Sequence, residues 1–393
     1  MNKKQIARAA STFERLEGRL FLSVSASGTC SCGGQLQLDV HPVMVAGDPN
    51  ASPADSPANR VDTNSAASPF AGVGSIDIRT RRGSYICTGT PISPTHVLTA
   101  AHCLDINSDG RSDRKDGING VRFYLNAGGD FTHALTASSW QLHPNFTGFA
   151  RPSVNDDMAV VKLSAPLPAG VPIYPIDTAG PSAGATKLTM VGYGRSGTGV
   201  NGYTVNASYA VKRRGENMVD AFYAQDDSGA PAGNEVFRYD FDGPTGAGTW
   251  GGGTLGNDRE TTLGGGDSGG PSFILTGADP ASAASYTLAG VNTFTQGSAP
   301  YFGSLGGGMV VSTYAGWIAS AMSASATSGT TGGEVGHVGS PFASRPNDGG
   351  SFTAVRSAIV PSAFAQGIAR DTFGARSIGA DALELSDDEP VAA

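Results

Sequence analysis

Gly265-Gly266-Asp267-Ser268-Gly269-Gly270-Pro271 is the stretch on which the reading of this chain turns. A lone serine among glycines is an ordinary turn residue. Two segments further upstream change that reading. One is Val97-Leu98-Thr99-Ala100-Ala101-His102-Cys103, an apolar run that ends on a histidine. The other is Asp157-Met158-Ala159-Val160-Val161-Lys162-Leu163, an apolar run that opens on a carboxylate. A serine hydroxyl is a weak nucleophile at neutral pH and needs a base within hydrogen-bond reach to take its proton. Histidine, with an ordinary pKa near about 6.5, accepts that proton and later returns it to the leaving group. A buried carboxylate holds the useful tautomer and stabilises the imidazolium. Each residue also has a plain reading: His102 as a structural histidine, Asp156 and Asp157 as surface carboxylates, Ser268 as a turn. The three segments together, in the order His, Asp, Ser, point to a nucleophilic hydrolase.

These segments resemble the trypsin and chymotrypsin family of serine endopeptidases, whose members share a T-A-A-H-C strand end, a D-I-A-L-type strand and a G-D-S-G-G-P loop. Other matches lie between them. Cys87 stands sixteen positions before Cys103, His143-Pro144-Asn145-Phe146 is similar to the family's H-P-x-Y/F segment, Val191-Gly192-Tyr193-Gly194 to its G-W-G turn, and Trp317 to the tryptophan of its closing helix. The resemblance spans residues 61–323 and implies an all-β fold of two Greek-key antiparallel β-barrels with a short C-terminal helix, the site lying between the barrels. It implies His102, Asp157 and Ser268 as the triad, Asp157 being preferred to Asp156 because Met158-Ala159-Val160 follows it, and a Cys87–Cys103 disulfide. The backbone N–H groups of Gly266 and Ser268 are the candidates for the oxyanion hole. In the family the residue before the serine, here Asp267, pairs with a newly freed amino terminus. The Arg60-Val61 bond lies near the expected place, so Val61 is the expected new terminus, although Val61-Asp62-Thr63-Asn64 departs from the usual I-V-G-G. The pocket floor falls on Thr262, a neutral residue that implies no strong preference for Arg or Lys. Thr293, Phe294 and Thr295 form one wall. Gly264 stands where many relatives have a cysteine.

Composition agrees with an all-β chain. Of 393 residues 56 are glycine, about twice the usual roughly 7%, which is hard on helices and suits short strands and tight turns. Strand texture runs through Val73–Ile78, Tyr85-Ile86, His96–Leu98, Val121–Leu125, Met158–Leu163, Lys187–Val191 and Tyr286–Val291, and no internal repeat is visible. Tyr314, Trp317, Ile318 and Met322 have helical spacing. The net charge is −8 with no basic run, which excludes a nucleic-acid footprint. No stretch approaches the 18 or so apolar residues of a membrane span. Protein or peptide is the expected partner, and the chain is expected to be a monomer with no organic cofactor.

The ends read differently. Residues 1–26, with Lys3, Lys4 and Arg8 before Leu20-Phe21-Leu22, read as an export leader, and Phe13–Ser23 is similar to leaders of some bacterial extracellular proteins. Residues 27–60 read as a linker or pro-segment, and 324–393 as a low-complexity acidic tail expected to be disordered. A disulfide belongs to an oxidising compartment, so the chain is expected to be secreted or on the cell surface. Cys30 and Cys32 are too close for an easy mutual bond.

A second motif follows His102. Asp105, Asn107, Asp109, Arg111, Asp113 and Asp116 fit D-x-N-x-D-G-x-x-D-x-x-D, with Gly110 at the sharp turn. It resembles the calcium loops of EF-hand and dockerin segments, and a structural calcium beside His102 is expected. Asp116 in place of Glu, and the lack of a flanking helix pair, depart from that pattern. Two rival functions remain: a calcium-binding surface or adhesion module on a peptidase scaffold with little turnover, and an esterase using the same acyl chemistry.

Overall fold

The computed structural model describes residues 38–39, 44–113, 115–148, 156–223, 234–246, 248–250, 253–296 and 300–324. The leader, Cys30, Cys32 and the tail beyond 324 lie outside the described residues. In chain order the strands are β1 (Leu38–Asp39), β2 (Val61–Asp62), β3 (Gly74–Thr80), β4 (Gly83–Ser93), β5 (His96–Thr99), β6 (Ile118–Leu125), β7 (His133–Leu142), β8 (Ala159–Leu163), β9 (Lys187–Gly192), β10 (Ser196–Thr198), β11 (Gly202–Val205), β12 (Lys212–Met218), β13 (Ala221–Tyr223), β14 (Val236–Asp240), β15 (Pro271–Leu275), β16 (Tyr286–Gln296) and β17 (Leu305–Val310); one α-helix, α1 (Ala315–Ser323), follows.

The first barrel is a closed antiparallel ring in the order β3-β4-β5-β8-β7-β6. Alternation fills it. In β6 the side chains of Val121, Phe123 and Leu125 are buried while their neighbours are not, as a strand with one face on the core requires. They meet Ile76, Ile78, Val97, Leu98 and Val161 in one apolar cluster. The β3–β4 turn is short because Thr80 Oγ1 accepts the Arg82 amide and donates to the Gly83 carbonyl.

The other half is a sheet with the path β13-β14-β17-β16-β15-β9-β12-β2. Its two ends are one bent strand. Only Val219 and Asp220 separate β12 from β13. The Asp220 amide donates to the Arg238 carbonyl of β14 at 2.9 Å, and Asn217 Nδ2 of β12 donates to the Asp240 carbonyl at 2.7 Å. The bend thus joins β9 on one side to β14 on the other, and the sheet curls into a second barrel. Counting β12–β13 as one strand, both rings follow the same order, first-second-third-sixth-fifth-fourth. The fold is all-β, a double barrel, and α1 closes it, burying Ile318 and Ala321.

Residues 44–60, which the sequence texture assigns to a linker or pro-segment, are packed into this unit. Met44, Val45 and Ala46 are fully buried. Arg60 is buried against Asp55 at 2.6 Å and donates to the carbonyls of Asn257, Arg259 and Glu260. A buried guanidinium held this way satisfies most of its donors, which a loose linker does not do.

Candidate active site

The site lies where the barrels meet. His102 sits in the 3-10 turn Ala101–Leu104 that ends β5. Asp157 precedes β8, which pairs with β5, so both residues come to one rim of the first barrel. Asp157 is fully buried. Its Oδ2 lies 2.7 Å from His102 Nδ1 and its Oδ1 accepts the His102 amide at 2.8 Å. This two-point grip fixes the ring through its Nδ1 side. The Cys87–Cys103 disulfide, with Cα atoms 6.3 Å apart, ties the turn back to β4.

Ser268 heads β15 of the second barrel and is 3% exposed. Its loop is fastened to the first barrel by a residue that the sequence motifs do not single out, Thr88 of β4. The Thr88 amide donates to the Ser268 carbonyl at 2.8 Å, and Thr88 Oγ1 donates to the Gly266 carbonyl at 2.8 Å while accepting the Tyr193 amide. Gly269, at φ +79°, passes so close to the Thr99-Ala100 backbone that a Cβ there would lie 1.9 Å from Thr99 Oγ1. The glycine is therefore a condition for bringing the serine loop against the strand that carries His102. Among the described residues, neither the Gly266 nor the Ser268 amide donates a hydrogen bond within the fold. Thr262, Thr293, Phe294 and Thr295 are all buried. Tyr239, also buried, stands beside Gly306, where a Cβ would meet its hydroxyl, and adds an aromatic residue to this region that the motifs do not reveal.

Asp267 is fully buried and its Oδ1 accepts the Gly194 amide at 2.8 Å. Burial pushes its carboxyl up to about 7, against the Gly194 amide, the charge of Arg213 and the Met44 amide. Val61, the expected partner of Asp267, lies elsewhere: it is exposed and pairs with Arg213 at the sheet edge. The amino-terminal residue that reaches Asp267 is Met44. Its neighbours are threaded between loops of the second barrel, the Val45 amide donating to the Thr262 carbonyl and the Ala46 amide to the Gly197 carbonyl, each at 3.0 Å. In the uncut chain the backbone that faces the carboxylate is therefore that of Met44, and Val61 stands at the sheet edge.

A second histidine–aspartate pair adjoins the first. His143 Nδ1 is 2.9 Å from Asp156 Oδ1, and its ring packs edge-on against Tyr314 and Trp317. Asp156 has φ +61°, and its amide donates to Tyr314 Oη at 3.1 Å. The two adjacent aspartates thus face opposite ways, Asp157 to His102 and Asp156 to the closing helix.

In the loop after His102, Asp105 accepts the Asp109 and Gly110 amides, and Asp116 accepts those of Asn107 and Asp113. Burial raises both carboxyls, that of Asp105 to about 7. Arg111 is exposed.

Two barrels of one strand order, with a histidine–aspartate pair on one and a serine loop on the other, define the class of chymotrypsin-type double barrels. Residues 61–236 match the family model described as Trypsin. The match ends before Ser268. Among solved structures the chain is similar to one titled as an HL collagenase, with a TM-score of 0.41 and 20% identity over 64% of this chain and 93% of that one.

Proposed function

We propose that the protein is a serine endopeptidase whose triad is His102, Asp157 and Ser268. The observation that carries the proposal is the two-point grip of Asp157 on His102 at 2.7 and 2.8 Å, beside a serine loop tied to the same barrel by Thr88. As Ser268 Oγ bonds to the scissile carbonyl carbon, its proton passes to His102 Nε2. The oxyanion is received by the Gly266 and Ser268 amides. His102 then protonates the leaving amine, and water, deprotonated by the same nitrogen, releases the acyl group from Ser268. A peptide chain of either apolar or polar character fits a neutral floor at Thr262; Arg and Lys are not favoured.

The finer readings follow from the same region. A cut between Val43 and Met44 would free an α-ammonium beside Asp267, supplying the cation that this buried carboxylate lacks. Calcium at Asp105, Asn107, Asp109, Asp113 and Asp116 would stiffen the segment after His102. A disulfide points to secretion, and no helix among the described residues is long and apolar enough to cross a membrane.

The test is labelling of the native protein with a fluorophosphonate probe before and after limited proteolysis, with the labelled residue located by mass mapping. Labelling of Ser268 that is absent from Ser268→Ala, and that rises once the chain begins at Met44, is expected. No labelling of either form would remove the peptidase reading.

A further inference from the structure

The second barrel holds four acidic side chains that the proposed chemistry does not use. Asp220 lies in the bend between β12 and β13, Asp240 ends β14, Asp242 follows two residues later, and Glu260 packs beneath them. Asp240, Asp242 and Glu260 are 2%, 5% and 3% exposed. Among the described residues none of the four has a lysine, arginine or histidine within ion-pair distance; the ion pairs nearest in sequence, those of Lys187 and Arg259, go to Glu216 instead.

Four of their eight oxygens accept neutral donors. Glu260 Oε1 accepts the Asp242 amide at 2.7 Å, and Oε2 accepts the Leu255 amide and the Thr254 hydroxyl. Glu260 therefore organises the loop around the group. Asp220 Oδ2 accepts the Asp240 amide at 3.0 Å, and Asp240 Oδ2 accepts the Trp250 amide at 2.6 Å. Asp242 Oδ1 is different: it is buried and accepts nothing. It also points at its neighbour. A Cβ added to Gly248 would lie 1.9 Å from Asp242 Oδ1 and 2.4 Å from Asp240 Oδ2, so the two oxygens converge on one side of Gly248, packed closer to it than any larger residue would allow. Buried like charges with no counter-ion are unfavourable.

We infer that Asp240 and Asp242 form a binding site for a hard divalent cation, of the calcium or magnesium class, on the second barrel. An all-oxygen, carboxylate-rich donor set selects such ions over softer metals. Asp220 and Glu260 are positioning residues: the first is held on the Asp240 amide, the second on the Asp242 amide. The site would lock the loop that carries Trp250 onto β14. It shares no residue with the loop at 105–116 and does not depend on the peptidase reading.

The test uses the full chain stripped with EDTA and titrated calorimetrically with calcium chloride, then magnesium chloride. In an Asp105→Asn/Asp116→Asn background one equivalent of cation is expected to remain, and adding Asp242→Asn should weaken it at least about tenfold. If the double background does not fold, the natural chain is compared with Asp242→Asn alone, and the stoichiometry must fall by one. Thermal unfolding gives a second readout of distinctive sign. Without divalent ions, Asp242→Asn should raise Tm, because it removes an unpaired buried charge; with calcium, the parent should gain in Tm and the variant should not. No binding of either ion at millimolar concentration, or equal binding with and without Asp242, would overturn the inference.

Discussion

The two barrels repeat one strand order but treat buried charge differently. In the first, buried carboxylates meet cations or histidines: Asp157 and Asp156 each hold a histidine, and Asp77 holds Arg79. The exceptions are Asp105 and Asp116, in the loop expected to take calcium. In the second, Asp267, Asp240 and Asp242 are buried without an ion pair, and Asp267 Oδ2 and Asp242 Oδ1 accept nothing among the described residues. Topology alone therefore does not decide whether a barrel is electrostatically complete. The first is finished by its own side chains. The second leaves two buried carboxylate oxygens, on Asp267 and Asp242, without an acceptor role, and the two proposals above each assign one of them a cation: an amino terminus and a metal ion.

The largest expected effects fall on the triad, one member from each barrel. Asp157→Asn should keep the fold and lower kcat by about 10⁴, since an amide stabilises the wrong tautomer and no imidazolium. Ser268→Ala should lower it by about 10⁶. Hydrolysis of a peptide library by both variants, with circular dichroism to check folding, is the measurement. Asp157→Asn within tenfold of the parent would mean that Asp157 is not the partner on which His102 depends.

The next effect concerns the unfinished barrel. In the uncut chain the Asp267 carboxyl titrates near about 7 against an ordinary 3.8. Between those values the folded chain binds a proton that the unfolded chain does not. Stability should therefore fall as pH rises from about 4 to 7, by something on the order of 4 kcal/mol. An ammonium at Met44 favours the carboxylate, lowers that pKa and removes this part of the slope, leaving the part that the raised Asp105 and Glu260 carboxyls contribute. Denaturant midpoints at pH 5 and 7.5, before and after cleavage, measure the difference, and Asp267→Asn in the uncut chain should make the slope shallower by a similar amount. Identical profiles for cut and uncut protein would remove Met44 from the role.

What the sequence made legible follows from range. Strands and the closing helix are readable because each is written within a few residues, and the Cys87–Cys103 bond is legible only through the family resemblance that implies it. The burial of Met44-Val45-Ala46 is not legible, because it rests on contacts of Met44 with Asp267, Val45 with Thr262 and Ala46 with Gly197, each more than 150 residues away, and nothing in these three residues alone marks them as buried. The shared strand order of the barrels was equally hidden. The bend at Val219-Asp220 splits one strand into two, and side chains of different size line the rings, so no repeat survives in the residues. Thr88 is one hydroxyl beside a cysteine, and only the packed loop reveals that it fastens Gly266 and Ser268.

A smaller effect tests how much the first barrel owes to covalent tying. Replacing both Cys87 and Cys103 by alanine opens a loop of sixteen residues and should cost about 3 kcal/mol. Urea unfolding checks it. Because the bond anchors the turn of His102, fluorophosphonate labelling should also slow in the variant at temperatures where it remains folded. Labelling at the parent rate would mean that β5 and the Asp157 grip hold the turn without it.

The smallest expected effect separates two adjacent residues that the sequence leaves nearly interchangeable. Asp156→Asn keeps an acceptor for His143 and a side chain that tolerates φ near +60°, so it should cost about 1 kcal/mol or less. Asp156→Ala removes the acceptor and adds strain of at least about 1 kcal/mol at that backbone angle, and should cost visibly more. Both variants should leave kcat within a few-fold of the parent, since Asp156 faces Tyr314 and the closing helix rather than His102. A profile of kcat against pH is the discriminating measurement. If Asp156→Asn shifts its acidic limb while stability is unchanged, then the second histidine–aspartate pair is coupled to the first through the Asp156–Asp157 backbone, and the first barrel carries one relay where the structure now draws two separate pairs.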